Sequence, residues 1–302
     1  MELDYDNIRK QSAIPKASSM IETFRAIGYS LETAIADIID NSISAGAKNI
    51  RLNRFWRGGK SIITIGDDGC GMNNEELVQA LCPGGFINND FDKLEKLMNL
   101  TLAANEKFNL TAIKDEDSFR ELMIYDSLLP LKYFDFSNKT VIDVGTGAGF
   151  PGLPLAICSS GNFTLLDSTN KKIKHICSVI DELSIKNVKP VTARIEEFDN
   201  DNRESFDFAI ARAVAPLNIL VELVLPLLKI GGSFIAMKGA IGLEEIELAN
   251  NAIKKLGGEL GIVKTDYLPE SKEKRILIEI KKIKATNKKY PRQYGEIKNK
   301  PL

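Results

Sequence analysis

The stretch Val141-Ile-Asp-Val-Gly-Thr-Gly-Ala-Gly-Phe-Pro-Gly152 runs from an apolar strand into closely spaced glycines and then into a helix of small and apolar residues. In an open α/β sheet, ligands bind at the carboxyl ends of strands, so a bound small molecule is expected at this turn. The spacing narrows the ligand. A dinucleotide fingerprint reads GxGxxG, whereas here Gly145, Gly147 and Gly149 are followed by Phe150, giving D-x-G-x-G-x-G.

Outward from this turn, strand and helix patterns alternate from Thr140 onward: TVIDV, FTLLD, KPVTA, DFAIA and SFIAMK, with two closing strands near GIVKTDY and RILIEI. Alternation of this kind predicts a mostly parallel sheet with helices on both faces. FTLLD ends at Asp167, 22 positions after Gly145, where a carboxylate can accept both hydrogen bonds from a ribose. KPVTA is followed by Ala193-Arg-Ile-Glu-Glu197, and DFAIA delivers Arg212. Before Thr140, the runs FDKLEKLMNLTLAANEKFNLTAI and DEDSFRELMIYDSLLPL have helical spacing.

The glycine order resembles the first motif of class I methyltransferases, whose cofactor is S-adenosylmethionine. A closer resemblance, over about Phe91 to Leu302, is to the RsmG (GidB) family, on NEKFNLTAI, YDSLLPL, VIDVGTGAGFPGLPLAI, FTLLDSTNKK, ARIEEF, ARAVAPL, MKG and KKYPRQYGEIKNKPL. It implies a Rossmann-like, seven-stranded α/β fold and methylation of N7 of a guanine in the 530-loop region of 16S ribosomal RNA. Carried over by position, it implies cofactor contacts at Gly145, Phe150, Ile195, Glu196 and Arg212. Asp167 is added from the ribose argument. Arg212 can meet the cofactor's methionine carboxylate or the RNA, and its planar fork suits either anion. Asp126 and Lys238 are candidates for positioning the base or its phosphates. Two departures touch RNA docking: Met123 stands where the family usually has His, and Ile276 follows Arg275 where a His is common. Much of the family's first helix is expected to be missing.

The first 85 residues follow another pattern. LETAIADIIDNSISAGA is helical by periodicity and places Asp37 and Asn41 at i and i+4, and KSIITIGDDGCGM is a strand ending in a glycine-rich turn. Asp37 and Asn41, with Asp67, Gly69 and Gly71, resemble the nucleotide-binding motifs of the GHKL ATPases. That family also needs a glycine-rich lid around the triphosphate, and no glycine occurs between Gly85 and Gly145. An incomplete α+β ATPase-like segment without ATP hydrolysis is therefore expected over 1–85. It is followed by a helical part over 86–139, the methyltransferase core over 140–284 and a basic tail over 285–302.

Composition bounds the rest. The 302 residues are 44% hydrophobic, with no run long enough for a membrane span and no basic-then-apolar leader at the N-terminus, so a cytoplasmic monomer is expected. Four cysteines without a CxxC pair and one histidine, His175, argue against a metal site. The net charge of -1 hides an asymmetry: from Lys272 to the end there are eleven Lys or Arg against three acidic residues. That tail, with Tyr290 and Tyr294, is the expected footprint for 16S rRNA or the small ribosomal subunit, with no DNA partner. No catalytic acid or base is assigned, because guanine N7 carries a free lone pair. Two rivals stand beside this reading: a class I methyltransferase with a non-RNA substrate, and an ATP-binding or interaction module fused to a decayed transferase.

Overall fold

The computed structural model describes residues 48, 50–55, 62–67 and 88–302. The chain divides into two compact units, Met1–Gly85 and Phe86–Leu302. In the first, β1 (Ile50–Phe55) pairs antiparallel with β2 (Ile62–Asp67), Ile50 opposite Asp67 and Phe55 opposite Ile62. Asp37, Asn41, Gly69 and Gly71 lie outside the described residues, and Asp67 is described only as the last residue of β2.

The second unit opens with α1 (Asn88–Phe108), which buries Leu94, Leu97, Met98 and Thr101 at three and four spacing. The next stretch, expected as one helix, is broken into α2 (Glu116–Phe119), a π-helical turn (Arg120–Tyr125), α3 (Asp126–Leu128) and a 3-10 turn (Leu129–Lys132). Asp115 starts it by accepting the Ser118 backbone N–H at 2.8 Å. The wider π turn shifts the helix face, and Asp126 and Ser127 are both buried at its end.

From Thr140 the elements alternate: β3 (Thr140–Val144), α4 (Gly152–Ile157), β4 (Asn162–Asp167), α5 (Asn170–Leu183), β5 (Val188–Thr192), α6 (Ile195–Asn202), β6 (Phe206–Arg212), α7 (Leu217–Val224), β7 (Leu228–Lys238), α8 (Gly242–Lys255), β8 (Gly258–Tyr267), β9 (Lys274–Lys282) and α9 (Tyr294–Asn299). The seven-stranded sheet has the order β5-β4-β3-β6-β7-β9-β8. The first five are mutually parallel, and β9 is antiparallel to both β7 and β8. The order turns back between β3 and β6, and this switch point opens a crevice at their carboxyl ends.

Period-two alternation along the strands feeds two apolar layers. Ile142, Val144, Leu166, Phe234, Ala236, Ile276, Ile278 and Ile280 face one layer with α7 and α8. Val141, Leu165, Ile210, Ile235, Met237 and Leu277 face the other with α1, α4 and α5. Complete burial of each large aliphatic contributes about 1.5–3 kcal/mol. Both faces are covered, which is why the central strands read as nearly continuous apolar runs.

Two segments differ from their sequence patterns. The acidic stretch after KPVTA forms the helix α6, whose partly buried Ile195 and Phe198 pack on the core. The basic C-terminal segment is not a free arm. Tyr290 and Ile297 are buried, Tyr294 packs against the same core, and the Arg292 guanidinium makes a forked pair with the fully buried Glu222 at 2.8 and 2.6 Å. Arg203 adds donors to the carbonyls of Thr286 and Tyr290 at 2.7 and 2.9 Å. Tyr290 is therefore not available to stack on a base. The segment also leaves β9 at the end of the sheet opposite the crevice.

Candidate cofactor site at the carboxyl ends of the central strands

The loop after β3 is held from below and from the side. The backbone N–H groups of Gly145 and Thr146 donate to the Leu166 carbonyl at 2.8 and 3.0 Å, tying the loop to β4. Gly147 N–H donates to Asp167 Oδ2 at 3.0 Å, while Asp167 Oδ1 accepts from Thr169 N–H at 2.8 Å. Gly145 and Gly147 have φ of +69° and +62°, a left-handed backbone that other residues adopt at a cost. Their surroundings differ. A Cβ on Gly145 would stand 2.6 Å from Val214 Cγ2, whereas one on Gly147 would meet nothing within 4 Å. The space beside Gly147 is the cradle that this loop offers to a ligand.

Beneath the loop lies Asp143, fully buried in β3. Its Oδ2 accepts the Thr146 hydroxyl at 2.6 Å and Gly152 N–H at 2.8 Å, while Oδ1 has no hydrogen-bond partner. Burial pushes this carboxyl up to about 6, against those hydrogen bonds and the attraction of Arg212. The open space at Gly147 lets a ligand lie against the backbone of this loop, with the Asp167 carboxylate that holds Gly147 N–H at its edge to accept from ribose hydroxyls such as those of S-adenosylmethionine. The residues present thus fit that cofactor.

Arg212, at the carboxyl end of β6, is mostly buried and turned toward the π-helical turn. Its Nη1 donates to the Leu122 carbonyl at 3.1 Å and to Asp126 Oδ2 at 3.2 Å, and Nη2 lies 3.5 Å from Met123 Sδ. Arg275 Nε reaches Asp126 Oδ1 at 3.2 Å from the other side. Burial lowers the Arg212 pKa from its usual value, opposed by Asp126 and Asp143. One buried carboxylate therefore joins two guanidinium groups from β6 and β9. Glu121, on the same π turn, accepts the N–H groups of Glu270 and Ser271 at 2.6 and 3.0 Å and so holds the β8–β9 turn that precedes Arg275.

The remaining candidates divide. Asp167 and Arg212 stand at the carboxyl ends of β4 and β6, either side of β3, and Ile195 and Glu196 begin α6 just beyond the carboxyl end of β5. Phe150 follows the loop, but its ring is buried edge-on against Phe119 with centroids 5.5 Å apart, so it serves the core. Lys238 is engaged within the protein: Nζ donates to the Ala215 carbonyl at 2.7 Å and pairs with Glu245 at 2.7 Å. Glu245 also accepts Leu217 N–H at 2.6 Å, so this pair shapes the loop from β6 to α7. His175 lies between α5 and α1, 3.4 Å from the Thr101 hydroxyl, and burial lowers its pKa. Among the described residues no cluster of His, Cys, Asp or Glu could hold a metal ion, and no helix is long and apolar enough to cross a membrane.

Residues 90–274 match the model of the rRNA small subunit methyltransferase G family. The chain is 40% identical to the ribosomal RNA small subunit methyltransferase G of Brevibacillus brevis, over 76% of this chain and 100% of the relative. It is 41% identical to that of Lysinibacillus sphaericus, again over 76% and 100%. Among solved structures, M. jannaschii TYW2 in complex with AdoMet gives a TM-score of 0.46 at 16% identity over 57% of this chain and 80% of its own, too distant to add to the family assignment. Residues 29–93 are similar to histidine kinase-, DNA gyrase B- and HSP90-like ATPases.

A match over 76% of 302 residues is about 230 residues long, more than the 217 from Phe86 onward, so it reaches back before Phe86. The likeness to the relatives thus begins before Phe86, and the two likenesses share the stretch leading to residue 93, while the helix expected to be missing lies outside the described residues. The cofactor that goes with the longer likeness is S-adenosylmethionine. On identity, coverage and the family model together, this chain belongs to the rRNA small subunit methyltransferase G family.

Proposed function

We propose that this protein is an S-adenosylmethionine-dependent methyltransferase of small-subunit ribosomal RNA that acts on N7 of a guanine without a general base. The observation that carries the reading is the glycine loop over Asp143 at the β3–β6 switch point, with an open space at Gly147 and an arginine pair beside it. The cofactor supplies an electrophilic methyl group on a sulfonium centre. Gly145 and Gly147 would let the backbone approach it, Asp167 would accept from its ribose hydroxyls, and Asp143 would hold the loop beneath it through Thr146 and Gly152. Ile195 and Glu196 border its base, and Phe150 supports the loop from the core side.

Guanine N7 brings its own lone pair, so no proton has to be removed before attack. The work left to the protein is alignment, exclusion of water and accommodation of the positive charge that passes to the purine. Asp126 fixes Arg212 and Arg275 in one arrangement, and Lys238 fixes the β6–α7 loop. N7 lies on an edge that an A-form major groove hides, so the target guanine sits in an open or irregular loop. The domain limits proposed are an ATPase-like segment at the N-terminus, then the methyltransferase from about Met72 through Leu302 with its tail packed on the core.

The test uses purified full-length protein and 16S rRNA from a strain lacking its own enzyme of this family. Restoration of one 7-methylguanosine, read by mass spectrometry of RNA digests, is expected. Methyl transfer to a different atom overturns the N7 assignment, and no transfer to RNA overturns the function.

A further inference from the structure

Two exposed aromatic rings flank the glycine loop at the crevice end of the sheet, and a third, Tyr267, ends β8 at the far edge. Phe108, the last residue of α1, is 46% exposed, with the Lys171 ammonium 4.7 Å from its centroid. Lys171 is in the first turn of α5, which leaves the carboxyl end of β4 three residues after Asp167, so this pair flanks the glycine loop on the β4 side. On the other side, Tyr125 is 37% exposed and immediately precedes Asp126, with Lys132 5.8 Å from its centroid. Other rings of the same unit, Phe119, Phe136 and Phe163, are buried in the core, and Tyr290 is buried despite its basic neighbours.

We propose that Phe108 and Tyr125 are stacking platforms for the nucleotides on either side of the target guanine, with Lys171 and Lys132 serving their phosphates. This rests on the RNA reading above. A base presented to the cofactor must leave its stack, and its neighbours then lose a stacking partner that a protein ring replaces. An ammonium beside each ring is the combination that single-stranded RNA meets best, a π-face for the base and a cation for the backbone. A protein partner would require a contiguous apolar patch, whereas these rings stand apart with the crevice between them and a lysine on each. Lys132 also pairs with Asp266 at 2.9 Å, which fixes its position beside Tyr125.

The test compares Phe108→Ala and Tyr125→Ala with Phe108→Tyr and Tyr125→Phe in the full chain. Each alanine variant is expected to lower kcat/KM for protein-free 16S rRNA by roughly five- to hundred-fold, mainly through KM, with unchanged S-adenosylmethionine affinity by calorimetry. The aromatic exchanges are expected to restore it, which a role of the Tyr125 hydroxyl in hydrogen bonding would not predict, and the unchanged cofactor affinity of the alanine variants separates stacking from a loss of folding. Alanine variants as active as wild type, or aromatic exchanges no better than alanine, overturn the proposal. A defect seen only on assembled subunits and not on protein-free RNA assigns the rings to a ribosomal protein and also overturns it. If wild type methylates no RNA, the function reading falls by itself. Binding of a labelled single-stranded RNA then decides the rings: loss in both alanine variants supports them, and retention overturns them.

Discussion

Gly147→Ala separates folding from cofactor binding. The new Cβ meets no atom within 4 Å, so the folded state bears only the left-handed backbone at φ +62°, about 1–2 kcal/mol for a residue with a side chain. The neighbouring Gly145→Ala bears a similar backbone cost at φ +69° and also drives a methyl to 2.6 Å from Val214 Cγ2. Relieving that contact displaces a valine side chain that is 40% exposed, which adds a cost at the low end of the about 1–3 kcal/mol that overpacking brings in a core. Urea denaturation is therefore expected to show Gly147→Ala as the milder of the two. Calorimetry is expected to show the reverse emphasis: the methyl of Gly147→Ala occupies the cradle, and S-adenosylmethionine affinity falls by at least about tenfold, or 1.4 kcal/mol. A Gly147→Ala protein that binds the cofactor as wild type does would refute the placement of the cradle. So would one that is destabilised as much as Gly145→Ala.

Three further outcomes follow from contacts described above. Glu222→Ala leaves the Arg292 fork without its buried partner and is expected to destabilise the protein by about 3 kcal/mol and to open the last ten or so residues to limited proteolysis. Asp143 is held up to about 6 by burial, above its ordinary 3.8, so the folded state binds the extra proton between those values and stability falls as pH rises through that window. Asp143→Asn is expected to remove this slope, so that wild type loses stability relative to the variant between about pH 4 and 6 in thermal scans; parallel curves would contradict the assignment. A chain beginning at Met72, about the length matched in the relatives, is expected to keep full methyl transfer and cofactor affinity. A large loss would show that residues before it contribute to the reaction.

The fold was legible wherever one local pattern decided the answer. The strand, glycine and helix run at 141–152 pointed to both the switch point and the ligand class, and the place of Asp167 at the end of β4 followed from the strand pattern. Arg275 was not legible as a partner of Arg212. Their link runs through Asp126, and only the antiparallel return of β9 brings that residue beside the end of β6. Asp143 stood in the quoted motif, yet its orphaned oxygen depends on where Thr146 and Gly152 spend their donors. The C-terminal segment was read from charge alone, and charge did not reveal that Glu222, fully buried in a helix whose other buried residues are all apolar, was waiting for Arg292. A buried glutamate in such a helix is itself a sign that a cation from elsewhere must dock.

The position of β9 bears on how the protein is made. Synthesis delivers β7 and β8 first, yet they are not neighbours in the finished sheet; the last strand has to enter between them and bond to both. Until it does, β7 and β8 each present an unpaired edge, and Asp126 has only one of its two arginines. The nascent chain therefore cannot complete its site progressively from the N-terminus, and competence arrives only once β9 has been made. A product truncated just before β9 would keep every glycine of the cofactor loop and still be an unfinished sheet.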